Sequence, residues 1–495
     1  MSESKEKFFN VLEQILFTVV KLTILFSLMY KFGFFIGVLF SIAINHLYNK
    51  SLRIFLNLEK LTPKDRFFFG DNLRFRINSG GLMLFNDFNS KNIQNAIIEK
   101  IFFKFPRLSG RIVKFLGDYY YKFLNFNSYS KEELYKIFEQ NFIQINHIPE
   151  ENLMNFISQE VNVHTNPMTD QSIIYYLIKY PESNKGCIYM KYDHVLTDGL
   201  GSINLIGFKE DFFDVDKLPK ILKRKINPFE YYPWLIKDYI MGSTIGIYRL
   251  LKFMNTNKPS FPLFISKVLP DSCDYKTKIK HDCETSIADP IVLDLNQVKE
   301  ASKKMGISIN EICLGCVLHV LKKECPQTKT IKINIPVSFT GLALKEKDVQ
   351  ISNNSDSFLG NINLVENFDQ EENKKNFLKE IRSLTRDTYK VRAGKILKLL
   401  TSEFLHNDIN NRIKDSNNLD LIISNVPSFE KNIKIGECKV ENIIPLTNNA
   451  YSGCFIAILS YTNHINIILA LRKSCGVNSN ILAKKIESKF LSLFN

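Results

Sequence analysis

Met190-Lys191-Tyr192-Asp193-His194-Val195-Leu196-Thr197-Asp198-Gly199-Leu200-Gly201 is the stretch on which the reading of this 495-residue chain turns. The apolar run Cys187 to Tyr192 has the length and composition of a strand, and just past it stands an imidazole, His194. Four residues later comes Asp198-Gly199. It offers a carboxylate able to fold back on the turn and a residue that permits tight backbone, repeated at Gly201, ahead of a helix opening near Ser202. The eight His of the chain give about 0.02 accidental matches to H-x-x-x-D-G. An imidazole with an ordinary pKa of about 6.5, held at a strand end, suits general-base work near neutral pH. The plain alternative is a surface turn whose His only hydrogen-bonds.

Outward from this stretch, Ser172 to Tyr180 reads as a second strand, joined to Cys187–Tyr192 by the hairpin-style connection Pro181-Glu182-Ser183-Asn184-Lys185-Gly186. Gly80 to Phe85 reads as a strand, and Asn89 to Phe105 as a helix with Ser90 as N-cap. The second half predicts a strand over Ile291 to Leu295, helices over Val298 to Met305 and Ser308 to Leu321, and strands at Ile331 to Ile335, Leu419 to Ser424 and Ile465 to Leu471. Strand-length apolar runs alternating with longer amphipathic stretches predict an α/β (α+β) body. The length is too great for one ordinary core. The expected division is an anchor over 1–50, a first lobe over 51–215, a crossover segment over 216–288 and a second lobe over 289–495.

From Leu22 to Leu47 the only charged residue is Lys31, a run long enough to cross a bilayer, which needs about 20 apolar residues. A helical hairpin breaking near Lys31-Phe32-Gly33 is the alternative, and basic residues on both sides leave the orientation open. The net charge of +14 favours anionic partners, but Lys and Arg are scattered and no nucleic-acid-binding signature is present, so nucleic acid is not an expected partner. Cys313 and Cys316 form a C-x-x-C inside an apolar helical run with no second ligand pair, which reads as two buried thiols rather than a metal site. Neither a G-x-S-x-G elbow nor H-E-x-x-H nor a phosphate-binding glycine loop occurs.

The central stretch resembles the H-H-x-x-x-D-G motif of the CoA-dependent acyltransferase superfamily, and the chain from Leu61 onward is similar to its wax ester synthase/diacylglycerol acyltransferase family. The motifs that carry the likeness are Leu61-Thr62-Pro63-Lys64-Asp65, Phe105-Pro106-Arg107-Leu108-Ser109-Gly110-Arg111, Ile309-Asn310-Glu311-Ile312-Cys313-Leu314, Ile335-Pro336-Val337-Ser338, Leu359-Gly360-Asn361, Ser424-Asn425-Val426-Pro427 and Ser460-Tyr461. Three places depart from the pattern: Asp193 stands where the family has its first His, Pro167-Met168-Thr169 where it has P-L-W, and Thr340 where an Arg usually follows P-V-S.

The resemblance implies two chloramphenicol-acetyltransferase-like lobes with a central tunnel, beside the N-terminal membrane helix or hairpin. It implies an acyl-CoA-dependent esterification of a long-chain alcohol or diacylglycerol, with His194 as the general base. Asp198 then organises the loop, Asp193 and Gly199 shape it, and Asn310, with Asn425 behind it, is the candidate oxyanion donor. No bound cofactor or metal is expected; acyl-CoA enters as a co-substrate. The expected partners are acyl-CoA, the alcohol or diacylglycerol, and membrane lipid at the endoplasmic reticulum or a lipid droplet. The alternative reading is a membrane-anchored lipid- or acyl-CoA-binding protein of the same fold without catalysis.

Overall fold

The computed structural model describes residues 34–62, 77–116, 118–163, 166–207, 284–337, 356–364, 376–377, 380–384, 419–448 and 452–493, with the single positions 30, 65, 69, 241, 244, 245, 248 and 353. The chain divides into two compact units that interleave along the sequence. The first comprises Met1–Thr62, Phe102–Phe142 and Thr165–Ser172; the second comprises Pro63–Ile101, Ile143–His164 and Ile173–Asn495.

In the first unit, helix α1 (Phe34–Leu56) precedes a three-stranded antiparallel sheet ordered β1 (Leu58–Lys60), β4 (Asp118–Lys122), β3 (Arg111–Phe115). Tyr48 and Leu52 pack with Leu58, Val113, Phe115 and Tyr120, while Ile44, Leu47, Ile54 and Phe55 are exposed. The phenylalanine-rich composition is partly spent here: Phe102 stacks on Phe138 at 4.6 Å between ring centroids, and Phe142 lies 4.9 Å from Phe102. The Phe105–Gly110 motif turns a corner. Arg107 lies over the Tyr121 ring at 4.2 Å and donates to Glu59 Oε1 at 2.8 Å, while Ser109 Oγ donates to the Pro106 carbonyl and accepts from the Leu124 N–H.

Most of the expected anchor lies outside the described residues. What is described of it is helix that runs on past residue 50, through Arg53 to Leu56. Among the described residues no single helix is long and apolar enough to cross a membrane.

The second unit holds two larger sheets. One has five strands in the order β15 (Asn442–Thr447), β2 (Asn78–Phe85), β7 (Gly186–Asp193), β6 (Ile173–Lys179), β5 (Ile143–His147), antiparallel except for β5 beside β6. The other has seven: β11 (Asp356–Asn363), β10 (Thr330–Val337), β12 (Leu419–Pro427), β16 (Ser452–Tyr461), β17 (His464–Arg472) and β8 (Thr285–Ile287), with β9 (Ile291–Asp294) also paired to β17. A short pair, β13 (Lys434–Ile435) and β14 (Cys438–Lys439), precedes β15. Strand β15 comes from the second half of the chain yet pairs with β2 from Thr447↔Ser79 to Asn442↔Leu84. The five-stranded sheet is therefore built by both halves.

Local chemistry sets the helix starts. Helix α2 (Ser90–Ile97) is capped by Asn89, whose side chain accepts from Asn92 N–H, so the cap falls one residue before Ser90; a π-helical turn, Ile98–Phe102, follows it where α-helix was predicted. Helices α3 (Lys131–Phe142) and α4 (Leu153–Glu160) come next, α4 burying Leu153 and Ile157 against Tyr176, Ile178 and Tyr189 of the five-stranded sheet. After α5 (Gly199–Gly207), helix α6 (Leu295–Met305) starts three residues earlier than predicted because Asp294 accepts from the N–H groups of Asn296 and Gln297. Helix α7 (Ile309–Glu324) opens on a capping box between Ser308 and Glu311. With α8 (Ser479–Leu491), α6 and α7 cover one face of the seven-stranded sheet in an apolar core that includes Val298, Val317, Ile423, Ile456, Leu469 and Ile486. The expected crossover segment lies outside the described residues except for 241, 244, 245, 248 and 284–288. The fold is mixed α/β, as the sequence predicts.

Candidate active site

Strand β7 ends at Asp193, and the turn after it is built by that residue: its Oδ1 accepts from Val195 N–H at 2.9 Å and its carbonyl from Leu196 N–H at 2.9 Å. His194 N–H donates to the Ile77 carbonyl at 2.8 Å. Next to Ile77, Asn78 is held by bonds from its amide nitrogen to the Val161 and Val163 carbonyls. Asp198 Oδ1 accepts from Gly201 N–H at 3.0 Å and its carbonyl from Ser202 N–H at 2.9 Å, which opens α5. Gly199 has no room for a side chain, since a Cβ there would sit 2.9 Å from Val426 Cγ2 on β12. The carboxylate of the motif thus folds back on the turn, as its spacing predicts.

The imidazole of His194 is half-buried, and its partner comes from far along the chain. His194 Nδ1 lies 3.1 Å from Asn353 Oδ1. The orientation of that amide follows from its other end: Nδ2 faces three acceptors, Asp65 Oδ1 at 3.0 Å, the His194 carbonyl at 2.9 Å and the Val195 carbonyl at 3.0 Å. Turned over, the amide would set its oxygen against three oxygens, so Oδ1 must face the ring and Nδ1 must carry the proton. Nε2 is then the unprotonated nitrogen. Asn353 N–H also donates to Asp65 Oδ1, and both residues are buried. Burial holds the His194 pKa below the ordinary imidazole value, against the opposing pull of Asp198, Asn353 and Asp65. The ring is therefore neutral at pH 7, which a base requires.

Asn310 and Asn425 are brought to each other, with Asn425 Nδ2 donating to Asn310 Oδ1. No described hydrogen bond joins either to His194. Strand alternation supplies the reason: Val426 lies against Gly199, so the neighbouring Asn425 points to the opposite face of the sheet. There both asparagines line a cavity of about 540 Å³ at the start of α7. The Cys313 and Cys316 thiols are buried in α7, and burial pushes the Cys316 thiol up to about 12. Asn353, in a polar stretch with no periodicity, carries no local signal of its role. Asp65 closes the L-T-P-x-D motif without betraying its contact with Asn353.

Residues 372–493 match the model of the WS/DGAT C-terminal domain. That stretch resembles the WS/DGAT C-terminal domain. The resemblance read from the motifs thus holds, and the similarity of fold reaches further along the chain. The wax ester synthase/diacylglycerol acyltransferase from Marinobacter aquaeolei VT8 aligns over 88% of this chain and 98% of its own, with a TM-score of 0.57 and 13% identity. The condensation domain of the Monacolin K polyketide synthase MokA aligns over 88% and 96%, with a TM-score of 0.54 and 10% identity. The epimerization domain from the third module of tyrocidine synthetase B aligns over 88% and 97%, with a TM-score of 0.51 and 11% identity. A search of curated proteins by sequence finds no match. At these identities the structural likenesses establish the fold. Together with the family match they support an acyltransferase of the wax synthase/diacylglycerol acyltransferase type.

Proposed function

We propose that this protein is an acyl-CoA-dependent O-acyltransferase that esterifies a long-chain alcohol or diacylglycerol, with His194 as general base. The observation that carries this reading is the amide of Asn353, which assigns the ring proton to Nδ1 and makes Nε2 the unprotonated, basic nitrogen of the ring. An alcohol hydroxyl is too weak an acid to ionise at neutral pH, so its attack on a thioester needs a base. Nε2 takes the hydroxyl proton as the oxygen bonds to the acyl carbon. When the tetrahedral intermediate collapses, the carbon–sulfur bond breaks and Nε2–H returns the proton to the leaving thiolate, so no acyl-enzyme forms. A positioned base of this kind is worth about 10² to 10⁴ in rate.

Asp193, in place of the first His of the family motif, does not weaken the reading, because its carboxylate is occupied in shaping the turn that presents His194. Long-chain substrates live at membranes, and the apolar run from Leu22 to Leu47 with the exposed Leu47, Ile54 and Phe55 supports an N-terminal membrane attachment at the endoplasmic reticulum or a lipid droplet.

The test is to incubate detergent-solubilised protein with radiolabelled palmitoyl-CoA and a panel of fatty alcohols, diacylglycerol and sterol, beside a His194→Ala variant. Ester formed by the native protein and lost in the variant supports the reading and names the acceptor. Binding of acyl-CoA without ester from any acceptor would replace it with the lipid-binding alternative.

A further inference from the structure

Of the four described non-glycine residues whose φ is positive, Asn57, Leu116, Glu437 and Thr462, only Leu116 is apolar. It opens the two-residue connection Leu116-Gly117 between Phe115 and Asp118, the last paired residues of β3 and β4. Where a tight hairpin turn begins with positive φ it takes Asn, Asp or Gly, because a Cβ crowds the backbone in the left-handed region. Here φ is 46°, the residue is leucine, and its side chain is 48% exposed. The fold carries strain at this position and in water receives no burial in return, which points to a role outside the fold. The one carboxylate beside the tip is occupied: Asp118 is buried, pairs with Lys60 Nζ at 3.3 Å and accepts from Tyr119 N–H at 2.9 Å. The tip therefore presents hydrocarbon.

The packing of the first unit says where this tip stands. A single residue, Asn57, joins α1 to β1, and Tyr48 and Leu52 of α1 pack with Leu58, Val113, Phe115 and Tyr120, so the helix folds back along the sheet. Leu58 pairs with Lys122 and Lys60 with Tyr120, so β1 runs toward the tip. From the level of Leu58 the tip is about five strand residues away, roughly 16 Å. The same distance back along α1 from Leu56 is about 11 residues, which reaches Asn45. Leu116 is thus level with Ile44 and Leu47, which are exposed as well and which close the apolar run from Leu22 to Leu47. Lys50, exposed on α1, and Lys114, next to the tip on β3, come a few ångströms below, in the order in which headgroup phosphates follow lipid tails.

We infer that the β3–β4 hairpin tip is a second membrane contact, in which Leu116 enters the bilayer surface beside α1 and fixes how the first unit is seated on the lipid. This rests on the N-terminal membrane attachment proposed above. One leucine side chain buries too little surface to hold a protein at a membrane by itself, so the tip orients what the N-terminal run anchors.

The chain has a single tryptophan, Trp234, so Trp234→Phe combined with Leu116→Trp leaves one indole, at the tip. Full-length protein is reconstituted in phosphatidylcholine vesicles, floated, and its emission compared between ordinary lipid and lipid brominated on the acyl chains. The emission should shift to the blue on reconstitution and be quenched by bromine. If this variant does not fold, a bimane label on Leu116→Cys gives the same readout against labelled native protein, since the described cysteines are buried. Floating protein with an unquenched, water-like emission would overturn the inference and leave the N-terminal attachment standing. Protein that does not float would overturn both.

Leu116→Asn gives a reading independent of lipid. Asparagine tolerates the left-handed turn, so the full-length variant in detergent should melt about 1–2 °C higher than the native protein. A melting temperature lowered by several degrees would mean that the fold itself holds Leu116, and would overturn the inference from the other side.

Discussion

Replacing Asn353 by Ala should separate the positioning of His194 from its presence. The substitution removes the oxygen that faces Nδ1 and the amide nitrogen that faces Asp65 Oδ1 and the carbonyls of His194 and Val195. Each buried acceptor left without its donor costs about 1–3 kcal/mol, and water entering the vacated space returns part of that, so stability should fall by about 2–4 kcal/mol. The lost bond to Nδ1, worth about 0.5–1.5 kcal/mol, no longer selects the tautomer and rotamer that present Nε2. With the accompanying loss of orientation, kcat should drop about 10- to 100-fold.

The pH profile gives a second readout. In the native protein burial depresses the His194 pKa, so activity should rise with pH through a value below the ordinary 6.5 and be level at neutral pH. Asn353 raises that pKa by favouring the cation, so its loss should move the acid limb to still lower pH. The assay is ester synthesis per folded molecule from pH 5 to 8, with urea unfolding alongside. An unchanged kcat in a destabilised protein, or an acid limb displaced upward, would refute the positioning argument.

Gly199→Ala sets a methyl group 2.9 Å from Val426 Cγ2 and should cost about 1–3 kcal/mol in urea unfolding; Val426→Ala should recover most of that, and additive losses would mean the contact is not the cause. Arg107→Ala removes both the contact with the Tyr121 ring and the bond to Glu59, and should cost about 1–2 kcal/mol while leaving activity per folded molecule unchanged; lost activity in folded protein would instead tie Arg107 to the site. Truncation of residues 1–42 spares Tyr48 and Leu52, so it should free the protein from membranes with an unchanged Tm, whereas truncation through 56 should lower Tm by exposing Leu58 and Tyr120. Continued sedimentation of the shorter truncation with membranes would place the attachment elsewhere.

Much of this was legible residue by residue where the interactions are local. The hairpin of β6 and β7, the capping box of α7 and the turn after Asp193 each involve groups a few positions apart, and periodicity and capping chemistry report such contacts directly. The fold of the Asp198 carboxylate onto Gly201 N–H belongs to the same class. The predicted start of α6 was late because Asp294 was counted into the strand when it is also the cap.

The sequence by itself determined the strand-His-x-x-x-Asp-Gly-helix unit, because the bonds that form its turns, Asp193 with Val195 and Leu196 and Asp198 with Gly201 and Ser202, span at most four residues and follow from side-chain chemistry and spacing. Only the tertiary structure decided which ring nitrogen of His194 is unprotonated, because the amide that fixes it lies 159 positions away in a stretch without pattern. The same holds for Asn310 and Asn425. A strand pattern says that neighbours point to opposite faces, but which face meets the His194 loop depends on Val426 of β12 packing against Gly199 at the start of α5, a contact that no single stretch of chain encodes.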